Sequence, residues 1–332
     1  MVIVEISPER TLLGRDTTDR LAGQLEIRPH TCFPIFDPEH EIDRFPLLPK
    51  DEVEEAFKEG VSLSGGVTSD CVSHNGLIYK RFRPHHSTKY DHPLPIERGS
   101  TEWRVISQLQ KKGISDIPKI LGVYATSDIF VSKMDRLPGV LACDVMMNGT
   151  FDGEQAGAQV GAFLRNFHSV NFGIATVRSS WLYPMLLSKK MDCDEFEVIA
   201  HRRHAEAFNA AHTESVLCWG DAGLKNIMLD GPHTRFFDFD QVVWASPEFD
   251  LGYLLGHVDL YRVCGYCSEQ TVDIFKTNLL KAYGAQLNES LINFIWGSTM
   301  YYRRDGYAIT GIKERGKKDE IIARAIEVAN KE

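Results

Sequence analysis

Apolar positions along this chain change their spacing part-way. Up to about residue 136 they fall in short runs that suit strands, and beyond it they recur mainly every three to four residues, as on one face of a helix. A strand-like Met1–Ile6 and Pro-rich irregular sequence to about residue 50 come first. Asp51–Gly60 then reads as a short helix, with Val53, Ala56 and Phe57 on one face, an acidic first turn and Gly60 as its stop. The segments Val61–Val67, Asp70–His74 and Leu77–Phe82 read as strands, the last two joined through Asn75-Gly76, a strong two-residue hairpin turn. Ile117–Tyr124 and Asp128–Met134 predict two more, closed by Asp135-Arg-Leu-Pro-Gly. Helical spacing follows at Glu154–Val170 (Val160, Phe163, Leu164 and Phe167 on one face), at Met191–His212, at about 247–263, 269–284 and 288–303, and in a charged last segment, 317–331.

One hairpin interrupts the helical half. Asn226–Leu229 and Arg235–Phe239 read as strands about a turn at Asp230-Gly231-Pro232. Residue numbers across such a pair sum to a constant near twice the turn position, which sets Asn226 roughly opposite Asp238. An amide oxygen and a carboxylate together are hard ligands suited to Mg²⁺ carrying nucleotide phosphates. Asp221 lies five residues before Asn226, on the loop entering the hairpin, where a base for an attacking hydroxyl belongs.

Lys80 is the other conspicuous polar residue, set in an apolar strand on the face it shares with Ile78 and Phe82. A lysine there needs a partner. Glu102, at the head of a helix whose apolar positions are Val105, Ile106 and Leu109, is the expected one, and Glu97 is the rival. Gly65 and Gly66, ahead of Lys80, would let backbone amides approach phosphate, with Ser64, Thr68 and Ser69 as further donors.

The run WGDAGLKN, then FFDFDQ, then SPEFDLG resembles the aminoglycoside phosphotransferase and choline kinase superfamily, relatives of protein kinases. Asp221 matches that family's catalytic aspartate, Asn226 and Asp238 its metal ligands, and Asp250 a structural aspartate of the following helix. One departure is Trp219, where the family usually has His before Gly-Asp. The resemblance implies an α+β, bilobal, protein-kinase-like fold, with a small antiparallel-sheet lobe over residues 51–136 and a helical catalytic and acceptor-binding lobe over 137–332. Residues 1–50 would be an extension packed on the small lobe. It also implies ATP and Mg²⁺, with the Lys80–Glu102 pair on the α- and β-phosphates, Met134 against the base, and adenine hydrogen bonds at Asp135 C=O and Leu137 N–H. His168 reads as a packing histidine near its helix end.

The implied activity is phosphoryl transfer to a hydroxyl of a small molecule. A protein kinase fits less well, since only Gln241–Ala245 separate the DFD strand from the next helix, too few for a polypeptide-docking segment. A catalytically inactive nucleotide-binding protein and an AMP transferase are the alternatives. Lys225, beside Asn226, either touches phosphate or faces solvent.

Composition sharpens this in three ways. Of 332 residues, 37 are Lys or Arg and 46 Asp or Glu, a net charge of −9 that argues against nucleic acid and slightly favours a cationic acceptor, an amino-alcohol or aminoglycoside. No apolar run is long enough for a membrane span, and the first ten residues do not form a signal peptide. Seven scattered cysteines, including a lone Cys264-Gly-Tyr-Cys267, read as reduced thiols of a cytoplasmic protein. His201 and His204, and the acids opening the Met191–His212 helix, read as a solvated basic turn and an ordinary helix start. The oligomeric state is not encoded in any of these features.

Overall fold

A computed structural model describes residues 46–63, 69–83, 95–126, 129–172, 216–284, 286–304 and 316–331. Helix α1 (Lys50–Glu59) is followed by strands β1 (Val61–Leu63), β2 (Ser69–His74) and β3 (Leu77–Phe82). Helix α2 (Pro95–Lys111) then leads to β4 (Ile120–Ala125) and β5 (Phe130–Asp135). The five strands form one antiparallel sheet in the order β1-β2-β3-β5-β4. Asn75 and Gly76 both have positive φ, 51° and 76°, the geometry that an Asn-Gly hairpin turn requires.

The sheet is covered on both faces. Val53 and Ala56 of α1 pack on Val72, Tyr79 and Val131. On the other face Ile96 of α2 meets Phe82, Val123 and Phe130. Gly99 is what lets α2 come that close, because a Cβ there would stand 2.0 Å from the Phe130 ring. Further along the same helix, Val105, Ile106 and Leu109 belong to the large core of the helical half. Helix α2 therefore joins two cores, and anything on it is positioned by both.

The helical half contains β6 (Val140–Leu141), α3 (Ala142–Met147) and α4 (Gly153–His168). After β7 (Val216–Cys218) come the hairpin β8 (Ile227–Asp230) and β9 (His233–Phe236), then β10 (Val243–Ala245). Helices α5 (Glu248–Val263), α6 (Glu269–Tyr283), α7 (Glu289–Arg303) and α8 (Lys318–Ala329) complete it. Side-chain caps explain several starts: Asp152 accepts from two N–H groups of α4, Ser268 caps α6 and Asn288 caps α7. The fold is α+β, an antiparallel sheet with a larger helical part, as the resemblance implied. Among the described residues no helix is long and apolar enough to cross a membrane.

The hairpin differs from expectation by one register step. Asp230 pairs with His233 and Ile227 with Phe236, which centres the turn between Gly231 and Pro232 and sets Asn226 opposite Phe237 rather than Asp238. Asn226 closes a short 3₁₀ turn (Leu224–Asn226) instead of opening the strand, and its carbonyl accepts from Phe237 N–H at 3.2 Å. Asp238 thus follows Asn226's partner, with a φ of 68° that turns the chain out of the ladder.

Candidate active site

The loop Trp219–Asn226 lies on an aromatic platform. Trp219 is fully buried, edge-on to Phe163 and Phe236 and tilted against Phe239, while Phe163 and Phe236 stack at 3.7 Å. Asp250, in the first turn of α5, accepts from the backbone N–H of Trp219 (2.6 Å) and Gly220 (2.9 Å). Its Oδ2 also lies 3.0 Å from His168 Nε2, and His168 Nδ1 is 2.9 Å from the Tyr283 hydroxyl. His168, Cys218 and Asp250 come near enough to one another to suggest a metal. Each already has a protein partner, Cys218 Sγ lying 3.3 Å from Ser246 O, so the cluster is accounted for as the clamp beneath the loop.

Held this way, Asp221 is buried with both carboxylate oxygens engaged. Tyr253 OH donates to Oδ1 at 2.8 Å, and Asn226 Nδ2 (3.1 Å) and Lys225 Nζ (2.7 Å) meet Oδ2. Arg303, at the end of α7, donates through Nη2 to Tyr253 OH at 2.7 Å. Burial alone would push Asp221 up, but the Lys225 and Arg303 charges outweigh it and hold the carboxyl below the usual aspartate value. The Lys225 ammonium lies on the aspartate itself, with its side chain 26% exposed.

Asn226 directs its amide nitrogen at Asp221, at both the carboxylate and the backbone carbonyl (2.9 Å), which leaves Oδ1 as the end that could hold a cation. One residue beyond Asn226's backbone partner stands Asp238, its side chain 30% exposed. Burial pushes Asp238 above the ordinary carboxylate value; Lys80 opposes this and Asp240 adds to it. The Asp238 carboxylate and the Asn226 amide oxygen, on segments joined through Asn226 O and Phe237 N–H, are hard oxygen donors of the kind a divalent cation such as Mg²⁺ takes.

On the sheet side, Lys80 Nζ bonds Glu102 Oε1 at 2.8 Å and Asp238 Oδ1 at 2.5 Å, and lies over the Phe82 ring. Burial would depress its pKa, but Asp238 and Glu102 outweigh burial and keep it cationic, well above the ordinary lysine value. Glu102 Oε1 also accepts from Phe239 N–H at 3.1 Å. One turn earlier on α2, buried Arg98 pairs with buried Asp240. Burial raises Asp240, yet Arg98 holds it down at about 2.

Five of the expected residues thus meet in one place: Lys80, Glu102, Asp238, Asn226 and Asp221. Glu97 belongs to the first turn of the same helix, while Glu102 is the acid that reaches Lys80. Met134 pairs with Ile78 across β5 and β3, on the sheet face that carries Lys80, with Asp135 ending the strand and half-buried Leu137 just beyond. Gly65 and Gly66, with Ser64 and Thr68, lie outside the described residues, as do residues 1–45, the Met191–His212 segment and His201 and His204. Sequence reasoning missed Arg98, Asp240, Tyr253 and Arg303. The spacing of Arg98 and Glu102, four apart on one helix face, was the available signal for the first.

Residues 83–287, more than half of the chain, match the family described as phosphotransferase enzyme family (APH), and the chain belongs to it. The match begins after Lys80, so it covers the Asp221–Asp238 region but not β3. The chain's fold is similar to that of an amicoumacin kinase in complex with AMP-PNP and Ca²⁺ (TM-score 0.55, 16% identity, 88% of this chain and 92% of that one). It is similar to a choline/ethanolamine kinase family protein from Mesorhizobium loti (TM-score 0.55, 16% identity, 85% and 95%). It is also similar to an aminoglycoside phosphotransferase from Streptomyces rimosus in complex with ADP and streptomycin (TM-score 0.51, 14% identity, 75% and 97%). No curated protein sequence matches the chain.

Proposed function

We propose that this member of the phosphotransferase enzyme family uses Mg²⁺-ATP to phosphorylate a hydroxyl group of a small molecule. The observation that carries the reading is the convergence of Lys80 on Asp238 at 2.5 Å, with Asn226 bonded to Asp221 alongside. Asp221 orients the acceptor hydroxyl and takes its proton. Tyr253 and Asn226 hold that carboxylate in place. Lys80, oriented by Glu102, holds the α- and β-phosphates, and Asn226 and Asp238 would hold the metal. Mg²⁺ bound with ATP neutralises charge on the phosphates. Catalysis is then chiefly positioning and charge complementarity.

The adenine would meet Met134, Asp135 C=O and Leu137 N–H, and the division between the lobes falls near residue 136 in this reading. The gap Gln241–Ala245 is largely occupied by β10, which supports a small acceptor over a polypeptide. The described cysteines, Cys264 and Cys267 among them, are free thiols, which supports a cytoplasmic setting. An amino-alcohol or aminoglycoside acceptor is in keeping with the compounds for which the fold's neighbours are named. A specific observation favours a second reading, a neutral or acidic acceptor: the charges acting most strongly on Asp221 are the cations Lys225 and Arg303.

One experiment addresses both. The protein is incubated with Mg²⁺-ATP and matched panels of amino-alcohols and aminoglycosides, neutral polyols and nucleosides, and hydroxy acids. ADP release and product mass are followed. A product heavier by one phosphoryl group supports the kinase, a gain of AMP assigns the transferase, and bound Mg²⁺-ATP with no product in any panel points to the non-catalytic alternative. The charge class of the acceptor that turns over decides between the two acceptor readings.

A further inference from the structure

We infer that Arg98 is a positioning residue for the nucleotide side of the site, acting through Asp240 to hold Asp238–Asp240 in the register that Lys80 and the metal need. The inference rests on the nucleotide reading above. It begins with an unfavourable backbone: Asp238 has a φ of 68°, and a non-glycine residue stays there only where its surroundings over-determine it. Three contacts on three consecutive residues do so. Trp219 Nε1 donates to Asp238 O at 2.9 Å, Glu102 accepts from Phe239 N–H at 3.1 Å, and Arg98 Nη2 donates to Asp240 Oδ2. Arg98 and Glu102 lie four residues apart, on the same face of α2, so one helix holds two neighbouring residues of the segment at once.

The Arg98–Asp240 contact differs from the other two in burying two opposite charges, with side chains 4% and 3% exposed and 142 residues between them in sequence. Buried pairs of this kind seldom add net stability over well-packed apolar residues, and their best-attested use is to specify one arrangement over others. The arrangement specified here is the reach of Asp238 to Lys80. The pair is also neutral as a whole, so deleting both members leaves the net charge beside the triphosphate unchanged. Asp240's own charge also acts on Lys80 and Asp238, so Arg98→Lys, which keeps both charges, is the variant that separates geometry from field.

The test measures binding of Mg²⁺-ATP and of adenosine by calorimetry, alongside denaturant stability. Three full-length variants are compared with the wild type: Arg98→Met/Asp240→Leu, Arg98→Lys and Arg98→Met. The double variant should keep stability near that of the wild type, bind Mg²⁺-ATP roughly tenfold more weakly, and bind adenosine unchanged, as expected when a contacting network is uncoupled. Arg98→Lys should recover part of the ATP affinity, since it restores the charge without the planar fork. Arg98→Met alone should be the least stable, because it strands Asp240. Wild-type ATP affinity in the double variant would overturn the inference. So would equal losses for ATP and adenosine, in the double variant or, should that one not fold, in Arg98→Lys. A wild-type protein that binds no Mg²⁺-ATP would instead overturn the functional reading on which this one depends.

Discussion

The two sides of the site are built in different ways. Around Asp221 the ligands of the carboxylate include its near neighbours Lys225 and Asn226, four and five residues on, and the loop is fastened to α5 within about thirty residues by Asp250 and Tyr253. Around Lys80 both carboxylate partners are far away in sequence: Glu102 is 22 residues off, Asp238 158, and Glu102 to Phe239 spans 137. The first side is a local structure on a rigid aromatic floor. The second is assembled by α2, which bridges the sheet and the helical core and is tied to the D-F-D segment by charge. Chemistry at the base should therefore be sensitive to single groups, while nucleotide binding should be sensitive to how α2 is placed.

The largest expected effect lies on the local side. Asp221→Asn should lower turnover on a verified acceptor by about 10²–10⁴, the range for losing a general acid–base group, while Mg²⁺-ATP still binds. Unchanged turnover would mean that the base lies elsewhere.

Next come the long-range contacts. Asp238→Ala should remove most of the thermal stabilisation that Mg²⁺-ATP confers, a shift of about 2.7 kcal/mol when ligand is a hundredfold above its dissociation constant. Lys80→Ala should weaken ATP far more than adenosine, and Glu102→Gln should reproduce part of that defect. The double variant Lys80→Ala/Glu102→Gln should be little worse than Lys80→Ala for ATP, because Glu102 acts through Lys80. Additive losses measured by calorimetry would separate the pair and break the contrast between the two sides.

How much of this was legible in the sequence follows the same division. The helices at 248–263, 269–283, 289–303 and 318–329 were readable from their apolar spacing, and in two of them the caps Ser268 and Asn288 fix the start. Asp221, Asn226 and Asp238 lie within eighteen residues and show as a motif. The hairpin register was missed by one step because the turn at Asp230-Gly231-Pro232 admits more than one centre, and pattern alone does not choose between Phe237 and Asp238 as the residue opposite Asn226. Lys80 stood out as a charge in an apolar strand, which says that a partner exists but does not say which one. Arg98 and Asp240 carry no such mark: each looks like an ordinary charged residue until α2 is laid against the segment after β9. Tyr253 and Arg303 come from the faces of α5 and α7 packed beneath the loop, a choice made by tertiary packing alone.

A smaller effect tests that packing. Tyr253→Phe removes the hydroxyl that joins Asp221 to Arg303 and leaves a buried guanidinium short of a partner. Stability should fall by about 1–3 kcal/mol, the cost of a buried polar group left unsatisfied, and turnover should fall further than ATP affinity does. Equal losses in both would mean that Tyr253 supports the whole site and not the base.

The smallest expected change concerns Trp219, which touches both sides. Its backbone N–H is held by Asp250 with the Asp221 loop, and its indole N–H donates to Asp238 O. Trp219→Phe keeps an aromatic ring among Phe163, Phe236 and Phe239 but deletes the indole donor, so the Asp238 carbonyl loses one of the contacts that offset its φ of 68°. Loss of that hydrogen bond should cost about 0.5–1.5 kcal/mol in denaturant unfolding, with a further contribution from the space the smaller ring leaves. The more telling measurement is the ratio of effects. If the indole serves Asp238, Mg²⁺-ATP affinity should drop while affinity for adenosine, which needs no metal ligand, stays level. If both drop together, or neither does, the indole is only a part of the floor, and the two sides of the site are joined by other contacts, the Asn226 carbonyl to Phe237 N–H among them.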